Sequence, residues 1–278
     1  MGLFDALSYK GKRAVIVGGA TGMGAAVAEV VKDGGADVVV MDYAPVTLDG
    51  VQAIKLNLAE KDSIDAALAE CGGPIDALFS CAGVDEGTPN IEKINFIGHR
   101  YLIEQAIAQD LLPRGSAIAM ISSAAGMGWE KSLEKNLEML AVEDFDEAVQ
   151  WCHDNGRVGY MPSKQQMCTY VALKALPFMQ KGIRINATMP GPTNTPLAQA
   201  NPEQWLGFGA DYREAAGIEA ATPLEQAYPL VFLNSSAAAG VTGLTMMTDA
   251  GFYGAGVSGA WPSAGEAVKF LRGDYGAL

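Results

Sequence analysis

The sequence predicts an α/β fold in which helices cover both faces of a parallel, doubly wound β-sheet. Short apolar runs alternate along the chain with longer runs of helical spacing, which is the pattern of repeated βα units. A glycine cluster follows the first apolar run, and an acidic residue ends the second. At 278 residues the chain is long enough to bury a large core.

The strand-like segments are short and rich in β-branched residues. They are predicted at residues 13–17, 36–42, 51–56, 75–80, 117–122, 183–188 and 242–248. Helices are predicted from near Gly22 and over residues 63–69, 91–108, 160–179 and 224–233. Ligands bind beyond the carboxyl ends of parallel strands, so the functional residues are expected where the strands end.

The glycines after the first strand have the spacing Gly18-x-x-x-Gly22-x-Gly24. Gly18 permits a tight turn, and Gly22 and Gly24 let the backbone approach a pyrophosphate at a helix N-terminus. A tight turn without a ligand is the alternative. Asp42 ends the next strand, where its carboxylate would accept hydrogen bonds from ribose hydroxyls and repel a 2′-phosphate. The pattern therefore favours NAD over NADP as cofactor.

Composition excludes several classes of partner. The formal net charge of −13 argues against a nucleic-acid partner, because phosphate binding relies on clustered Lys and Arg. No run approaches the roughly 20 apolar residues that span a bilayer, and the N-terminus does not resemble a signal peptide. We expect a soluble, cytoplasmic protein that makes no membrane contact.

The four cysteines do not have the spacing of a metal site. Cys71, Cys81, Cys152 and Cys168 form no C-x-x-C pair. We expect reduced thiols that are mostly buried, and no metal is predicted.

One segment breaks the alternation, from about residue 129 to 156. Leu133, Leu137 and Leu140 recur at helical spacing, which predicts the first of two short helices, with the acidic residues facing solvent. The chain ends in a tail, about 252–278, that contains a short helical run. The sequence leaves open whether the insertion and the tail cover the site or contact another subunit.

Tyr160 and Lys164 carry the predicted chemistry. Four residues apart, they lie on one helix face, where the ammonium favours the phenolate and moves the phenol pKa toward working pH. Ser123 follows a predicted strand, where its hydroxyl could hold a substrate oxygen, and Ser122 is the second choice for this role. Asn95 could bend its helix and anchor a water. The alternative for Asn95 is a solvent-facing helical residue.

Together these motifs resemble the short-chain dehydrogenase/reductase family, over a stretch from about Lys12 to Gly251. The resemblance implies a Rossmann-like single domain of 278 residues, interrupted by the helical insertion before Tyr160. It implies that Tyr160 exchanges a proton with the substrate oxygen, Lys164 lowers the pKa of Tyr160 and holds the nicotinamide ribose, and Ser123 orients the substrate. Asn95 would support a proton relay. The implied cofactor residues are Gly18, Thr21, Gly22, Met23, Gly24, Asp42, Asn57, Leu58, Cys81, Ala82, Gly83, Tyr160, Lys164, Pro190, Gly191, Thr193 and Thr195.

The chain departs from the family pattern at three places. Asn57-Leu58 stands where the family often has Asp-Val, and Ser80-Cys81-Ala82-Gly83 replaces Asn-Asn-Ala-Gly. The third departure is the insertion between Ser123 and Tyr160. It resembles that of bacterial 3α-hydroxysteroid dehydrogenase/carbonyl reductases, and coniferyl alcohol dehydrogenases also carry one.

Large apolar residues near the predicted site suit a bulky apolar alcohol or ketone. We expect an NAD(H)-dependent oxidoreductase of hydroxysteroid dehydrogenase type, with an aryl or allylic alcohol dehydrogenase as the alternative. A non-catalytic NAD(H)-binding protein is a further alternative from another class. The family resemblance implies a homodimer or a homotetramer. The candidate pocket residues are Met127, Trp129, Met161, Met189, Leu197, Trp205, Phe208 and Phe252.

Overall fold

A sheet of seven parallel strands forms the centre of the computed structural model, which describes residues 2–271. The strands are β1 (Arg13–Val17), β2 (Asp37–Asp42), β3 (Gln52–Lys55), β4 (Ala77–Ser80), β5 (Ala117–Ile121), β6 (Arg184–Pro190) and β7 (Thr245–Thr248). Their order is β3-β2-β1-β4-β5-β6-β7, so the chain starts near the middle and winds outward in both directions. The predicted Rossmann-like, doubly wound sheet is confirmed.

Helices connect the strands and cover both faces of the sheet. The α-helices are α1 (Leu3–Leu7), α2 (Gly22–Asp33), α3 (Lys61–Cys71), α4 (Gly98–Ala108), α5 (Leu133–Leu140), α6 (Phe145–Asp154), α7 (Tyr160–Gln180), α8 (Pro196–Ala200), α9 (Pro202–Trp205), α10 (Ala210–Ala216), α11 (Pro223–Asn234), α12 (Phe252–Ser258) and α13 (Pro262–Leu271). A π-helical turn (Lys93–Ile97) precedes α4, and a 3₁₀ turn (Ala124–Gly126) follows β5.

The strand residues alternate between two cores because successive side chains of a strand point to opposite faces. Val15 and Val39 face a core built with α3, α4 and α7. Ile16 and Val40 face a second core, which α2 and α11 complete. All four side chains are fully buried, so the central strands are apolar on both faces, as a parallel sheet between two helix layers requires.

The predicted elements are found with small shifts at their ends. The last strand begins at Thr245 and not at residue 242, because Gly243 has a left-handed φ of +74° that is incompatible with a strand. The sequence reading missed α1, α8, α9, α10 and α12. These helices are short, with four to seven residues, and too brief to show an apolar periodicity.

The predicted insertion forms two helices, α5 and α6, which lie against α7. Buried Asn136 donates from Nδ2 to Thr169 Oγ1 on α7 at 2.8 Å. Asn136 Oδ1 accepts from Arg157 Nη2 at 2.9 Å, and Ser132 donates to Gln165 Oε1 at 3.0 Å. The bonds to Thr169 and Gln165 fix the insertion to buried positions of α7, and its packing is part of the α4–α7 core.

The C-terminal segment packs against the short helices that follow β6. Tyr212 makes edge-to-face contacts with Phe252 and Trp261, at centroid distances of 5.6 and 6.1 Å. Asp211 Oδ2 accepts hydrogen bonds from Trp261 Nε1 at 3.0 Å and from Ser263 Oγ at 2.5 Å. Residues 272–278 of the predicted tail lie outside the described residues. Within residues 2–271 we find no helix with the length and apolar character of a membrane span.

A buried histidine fixes the carboxyl end of β4. His99 on α4 is fully buried, its Nδ1 bonds to the Ser80 hydroxyl, and its Nε2 lies 3.0 Å from the Ala82 carbonyl oxygen. Burial lowers the pKa of His99 from 6.5 to about 4, although the hydrogen bond to Ala82 opposes this shift. The neutral ring is therefore the form that the fold stabilises.

This shift predicts that stability depends on pH. The unfolded chain binds a proton at His99 below pH 6.5 and the folded chain does not until about pH 4, so stability is lost as pH falls through this window. From pH 7 to pH 5 the expected contribution of His99 to this loss is about 2 kcal/mol.

Urea denaturation of wild type and His99→Gln at the two pH values measures the effect. The variant should lose about 2 kcal/mol less than wild type over this interval. His153→Asn removes the other histidine, whose side chain is 54% exposed, and is the matched control. An equal pH dependence in wild type and His99→Gln would contradict the assignment.

Candidate active site

Two adjoining cavities open at the carboxyl edge of the sheet. The first, which we call the cleft, has a volume of about 460 Å³ and lies over the ends of β1, β2 and β4. The second, which we call the apolar cavity, has a volume of about 340 Å³ and lies beyond β5 and β6. The two share five lining residues: Met23, Ser122, Tyr160, Thr195 and Leu197. Tyr160 therefore stands where they meet.

The predicted cofactor residues divide between the two cavities. Three of them, Pro190, Gly191 and Thr193, line the apolar cavity and not the cleft. They lie at the end of β6, which is separated from β1 by two strands, β4 and β5. The cleft is lined by Gly18, Thr21, Gly22, Met23, Gly24, Asp42, Asn57, Leu58, Cys81, Ala82, Gly83, Tyr160, Lys164 and Thr195.

The glycine turn brings the backbone of β1 and β4 together. Gly18 has a φ of +83°, and a Cβ built on it would lie 2.3 Å from the Ala82 nitrogen. A Cβ on Gly24 would lie 1.9 Å from the Gly18 carbonyl oxygen. Thr21 precedes α2 without capping it through its side chain, so the first-turn N–H groups face the cleft as donors. This bare backbone cradle fits the pyrophosphate of a dinucleotide.

Asp42 is held in place by the backbone. Its Oδ2 accepts from Ala20 N and its Oδ1 from Ala44 N, each at 2.8 Å. The carboxylate therefore has a fixed orientation at the wall of the cleft. Lys55 lies nearby and its ammonium sits 4.0 Å from the centroid of the Tyr43 ring, but Lys55 does not line the cleft. The sequence reading missed this cation.

Asn57 and Leu58 shape the wall opposite Asp42. Asn57 Oδ1 accepts from Ala59 N at 3.1 Å, so part of its acceptor capacity holds its own loop. The carbonyl oxygen of Leu58 would lie 2.2 Å from a Cβ on Gly98. The close approach of α4 thus fixes this loop beside the cleft.

Both serines line the apolar cavity, but the Ser123 hydroxyl and not that of Ser122 interacts with Tyr160. Ser122 is 2% exposed, and its hydroxyl donates to Lys164 O at 3.0 Å and contacts Cys168 Sγ at 3.2 Å. Ser123 caps the following 3₁₀ turn through Ala125 N and shares a hydrogen bond with the Tyr160 phenol. The structure therefore favours Ser123 over the alternative.

Lys164 lies behind Tyr160 and is nearly buried. Its Nζ donates to the Ile121 carbonyl oxygen at 3.0 Å and lies 5.4 Å from the centroid of the Tyr160 ring. Burial lowers the pKa of Lys164 to about 8, against the neighbouring thiols of Cys168 and Cys81, which raise it.

The protein groups around Tyr160 do not produce the expected decrease in the pKa of its phenol. Burial raises the pKa of Tyr160 to about 12, the hydrogen bond from Ser123 lowers it, and the charge of Asp85 raises it. Desolvation of the phenolate outweighs the hydrogen bond from Ser123, and burial disfavours the charged form of the neighbouring Lys164 as well. In the protein alone, Tyr160 is thus a proton donor at neutral pH.

Asn95 is fully buried, which excludes the solvent-facing alternative. It lies in the π-helical turn, where its Oδ1 accepts from Val84 N at 2.7 Å and its Nδ2 donates to Val84 O at 3.1 Å. A Cβ on Gly83 would lie 3.5 Å from Asn95 Oδ1 and 3.6 Å from Lys164 Nζ. The bare Gly83 thus leaves Asn95 and Lys164 close together.

The apolar cavity contains four of the eight predicted pocket residues. Met161, Leu197, Trp205 and Phe208 line it, and the Trp205 ring lies 4.8 Å from the Tyr160 ring. Met127, Trp129, Met189 and Phe252 do not line it.

Leu271 and Glu86 are among the residues of this wall that the sequence did not predict. Leu271 ends α13, so the C-terminal segment and not the insertion covers the apolar cavity. No local motif marks either residue, because both reach the cavity through tertiary packing. In residues 2–271 no three His, Cys, Asp or Glu side chains are grouped to hold a metal.

The comparisons with known proteins agree with this geometry. The family model described as "Enoyl-(Acyl carrier protein) reductase" matches residues 18–253. The 3-alpha-hydroxysteroid dehydrogenase/carbonyl reductase of Comamonas testosteroni is 31% identical over 251 residues, which are 85% of this chain and 95% of that protein. The coniferyl-alcohol dehydrogenase of Pseudomonas sp. strain HR199 is 29% identical over 195 residues, 67% of this chain and 74% of that protein.

Solved structures show the same architecture. The 3-alpha-hydroxysteroid dehydrogenase of Pseudomonas sp. B-0831, whose structure contains NADH, superimposes with a TM-score of 0.71 at 25% identity. The match covers 87% of this chain and 97% of that one. By its matching family model and its relatives, this chain belongs to the short-chain dehydrogenase/reductase family, whose members are nicotinamide-dependent oxidoreductases.

Proposed function

We propose that this enzyme is an NAD(H)-dependent dehydrogenase that interconverts a bulky apolar secondary alcohol and its ketone. The observation that carries the proposal is the position of Tyr160, which joins the cleft to a cavity walled by Met161, Trp205 and Phe208. Apolar walls with few polar groups suit an apolar substrate and orient it through those groups. The relative from Comamonas testosteroni supports a hydroxysteroid-like substrate.

The side chains around the reacting substrate oxygen have different roles. Tyr160 exchanges the proton with the substrate oxygen, and the Ser123 hydroxyl donates a hydrogen bond to the same oxygen. Lys164 holds the nicotinamide ribose hydroxyls and stabilises the phenolate by its charge, while Asn95 and Lys164 form the inner end of a proton relay. Accepting or donating the hydride is the chemistry that bound NAD(H) supplies.

The cofactor residues keep their assigned parts in this proposal. Backbone N–H groups at Gly22, Met23 and Gly24 bind the pyrophosphate, and Asp42 accepts from the adenosine ribose hydroxyls. The other cofactor contacts come from residues beside the adenine, the two riboses and the nicotinamide. These are Gly18, Thr21, Asn57, Leu58, Cys81, Ala82, Gly83, Pro190, Gly191, Thr193 and Thr195.

An aryl or allylic alcohol is the second candidate substrate. The edge-to-face contact of Trp205 with Tyr160 places an aromatic wall beside the proton donor, where a flat ring could pack. The coniferyl-alcohol dehydrogenase relative supports this alternative.

We also propose a cytoplasmic location, since the four cysteines are free, as is usual for reduced compartments.

NADH formation against hydroxysteroids and against aryl, allylic and aliphatic alcohols tests the substrate class. Turnover of steroids supports the first candidate, and turnover of aryl alcohols alone supports the second. On the best substrate, Tyr160→Phe should lower turnover by about 10²–10⁴-fold and leave NADH binding, measured by fluorescence titration, nearly unchanged.

Tyr170→Phe is the matched control on the same helix. It removes a buried hydroxyl that has no hydrogen-bond partner and lies outside both cavities, so activity should be retained. Undiminished turnover in Tyr160→Phe would refute the catalytic assignment of Tyr160. NADH binding by wild type without turnover of any of these alcohols would instead favour the non-catalytic, NAD(H)-binding alternative.

The choice of NAD is tested at Asp42. Asp42→Ala should weaken NAD binding and lower the preference for NAD over NADP by about tenfold or more, because the repelling charge and the ribose acceptors are lost. Asp42→Asn keeps one side-chain oxygen that can accept a hydrogen bond from the backbone of the turn, and it should lose most of the discrimination between NAD and NADP. Asp37→Ala at the other end of β2 is the control. Preference of the wild type for NADP would overturn the argument.

We propose that the enzyme is a homodimer or homotetramer that associates through α11. Leu224, Tyr228 and Phe232 are exposed and recur every fourth residue, which gives α11 an apolar stripe on its outer face. Light scattering should show Tyr228→Glu to be smaller than wild type. Val257→Glu changes an exposed apolar residue of α12 and serves as the control, and dissociation by Val257→Glu alone would refute this contact.

A further inference from the structure

The entrance to the catalytic helix depends on a carboxylate from a distant loop. Gly159 precedes α7 with a φ of +135° and has no side chain with which to cap the helix. Instead Glu86, from the loop after β4, accepts a hydrogen bond from Tyr160 N at 2.7 Å through its Oε2. A Cβ on Gly159 would lie 3.3 Å from both carboxylate oxygens, so a larger residue there would crowd Glu86.

This carboxylate is also part of the substrate wall. Glu86 lines the apolar cavity with Ser123 and Tyr160. Among the described residues that line this cavity, Glu86 is the one side chain with a full charge, and neither Lys nor Arg accompanies it. The hydrogen bond from Tyr160 N holds Glu86 in the wall and leaves Oε1 available to a ligand.

We propose that Glu86 is a specificity-determining residue that excludes anionic substrates and accepts a hydrogen bond from a hydroxyl or ammonium group on the substrate. Like charges at close range repel, whereas a hydroxyl or ammonium group donates to a carboxylate with a charge-assisted bond. The Glu86 carboxylate accepts its hydrogen bond from the backbone nitrogen of Tyr160 and not from the phenol of Tyr160. The recognised group is therefore remote from the reacting carbon.

This inference rests on the proposed function, because it names the substrate class of the same site. It predicts a neutral or cationic alcohol with a second polar group, such as a cyclic diol. Carboxylated alcohols with the same ring should be poor substrates.

Ring alcohols that differ only at the 4-position test the proposal. The probes are cyclohexane-1,4-diol, 4-aminocyclohexanol and 4-hydroxycyclohexanecarboxylate, with cyclohexanol as the neutral reference. For wild type we expect kcat/KM with the carboxylate to be about tenfold or more below that with the diol. Glu86→Gln keeps an oxygen that can accept from Tyr160 N, and should reduce the diol-to-carboxylate ratio of kcat/KM about fivefold or more. A general change in activity affects both substrates alike and cancels in this ratio.

Glu203→Gln is the matched control, because it removes an exposed charge on α9 that does not line the cavity. It should leave the ratio as in wild type. Raising the salt concentration should reduce the ratio in wild type but not in Glu86→Gln, because salt screens an exposed charge. Equal use of carboxylate and diol by wild type, or an unchanged ratio in Glu86→Gln, would overturn the proposal.

A binding measurement separates this inference from the proposed function. Cyclohexylamine and cyclohexanecarboxylate are titrated into the enzyme with NADH, and the nicotinamide fluorescence is followed. If wild type binds the amine more tightly than the carboxylate and Glu86→Gln does not, the charge selection is supported. This holds even if no alcohol is turned over, an outcome that would refute the proposed function and not the inference. Equal binding of the two compounds by wild type would refute the inference.

Discussion

The contact between the Gly18 turn and the end of β4 is the constraint on which the site depends. A side chain at Gly18 would collide with the Ala82 backbone, so β1 and β4 can approach only through this glycine. His99 then holds the Ala82 carbonyl from the other side. The resulting floor of the cleft is rigid backbone, which can approach a phosphate or ribose more closely than side chains could. It also brings Gly83 beside Lys164.

The catalytic groups are oriented mainly by backbone atoms of neighbouring elements. Lys164 donates to the Ile121 carbonyl oxygen, and Ser123 accepts from Ala125 N. Asn95 forms hydrogen bonds with both the backbone nitrogen and the carbonyl oxygen of Val84. Such contacts fix side-chain positions without adding charges that would compete with the reaction. The remaining cost is desolvation, which favours the neutral forms of both Tyr160 and Lys164. Cofactor and substrate charges therefore have a strong influence on when Tyr160 loses its proton.

The sequence predicts the parts of the site whose geometry is local. The glycine spacing, Asp42 at a strand end and the four-residue step from Tyr160 to Lys164 each follow from the conformation of one turn or helix. The sequence ranks Ser123 above Ser122, but the structural reason, the burial of Ser122 against α7, is a tertiary contact that the sequence does not show. The division of the predicted cofactor residues between two cavities could not be read from the sequence for the same reason, since the position of β6 relative to β1 is set by the order of the strands in the sheet.

The cover of the apolar cavity is organised differently from its floor. The insertion is the largest departure of the sequence from the family pattern, but it is bonded to Thr169 of α7 and contributes no residue to the wall of the cavity. The wall comes instead from α8, α9 and the end of α13, and the C-terminal segment is tied to α10 by Asp211 and Tyr212. At the end of α13, Leu271 packs with Ala124 and Met127 in a small cluster that is separate from the two main cores. Substrate shape can therefore change through the short elements of this wall while Ser123, Tyr160 and Lys164 keep positions that β5 and α7 determine.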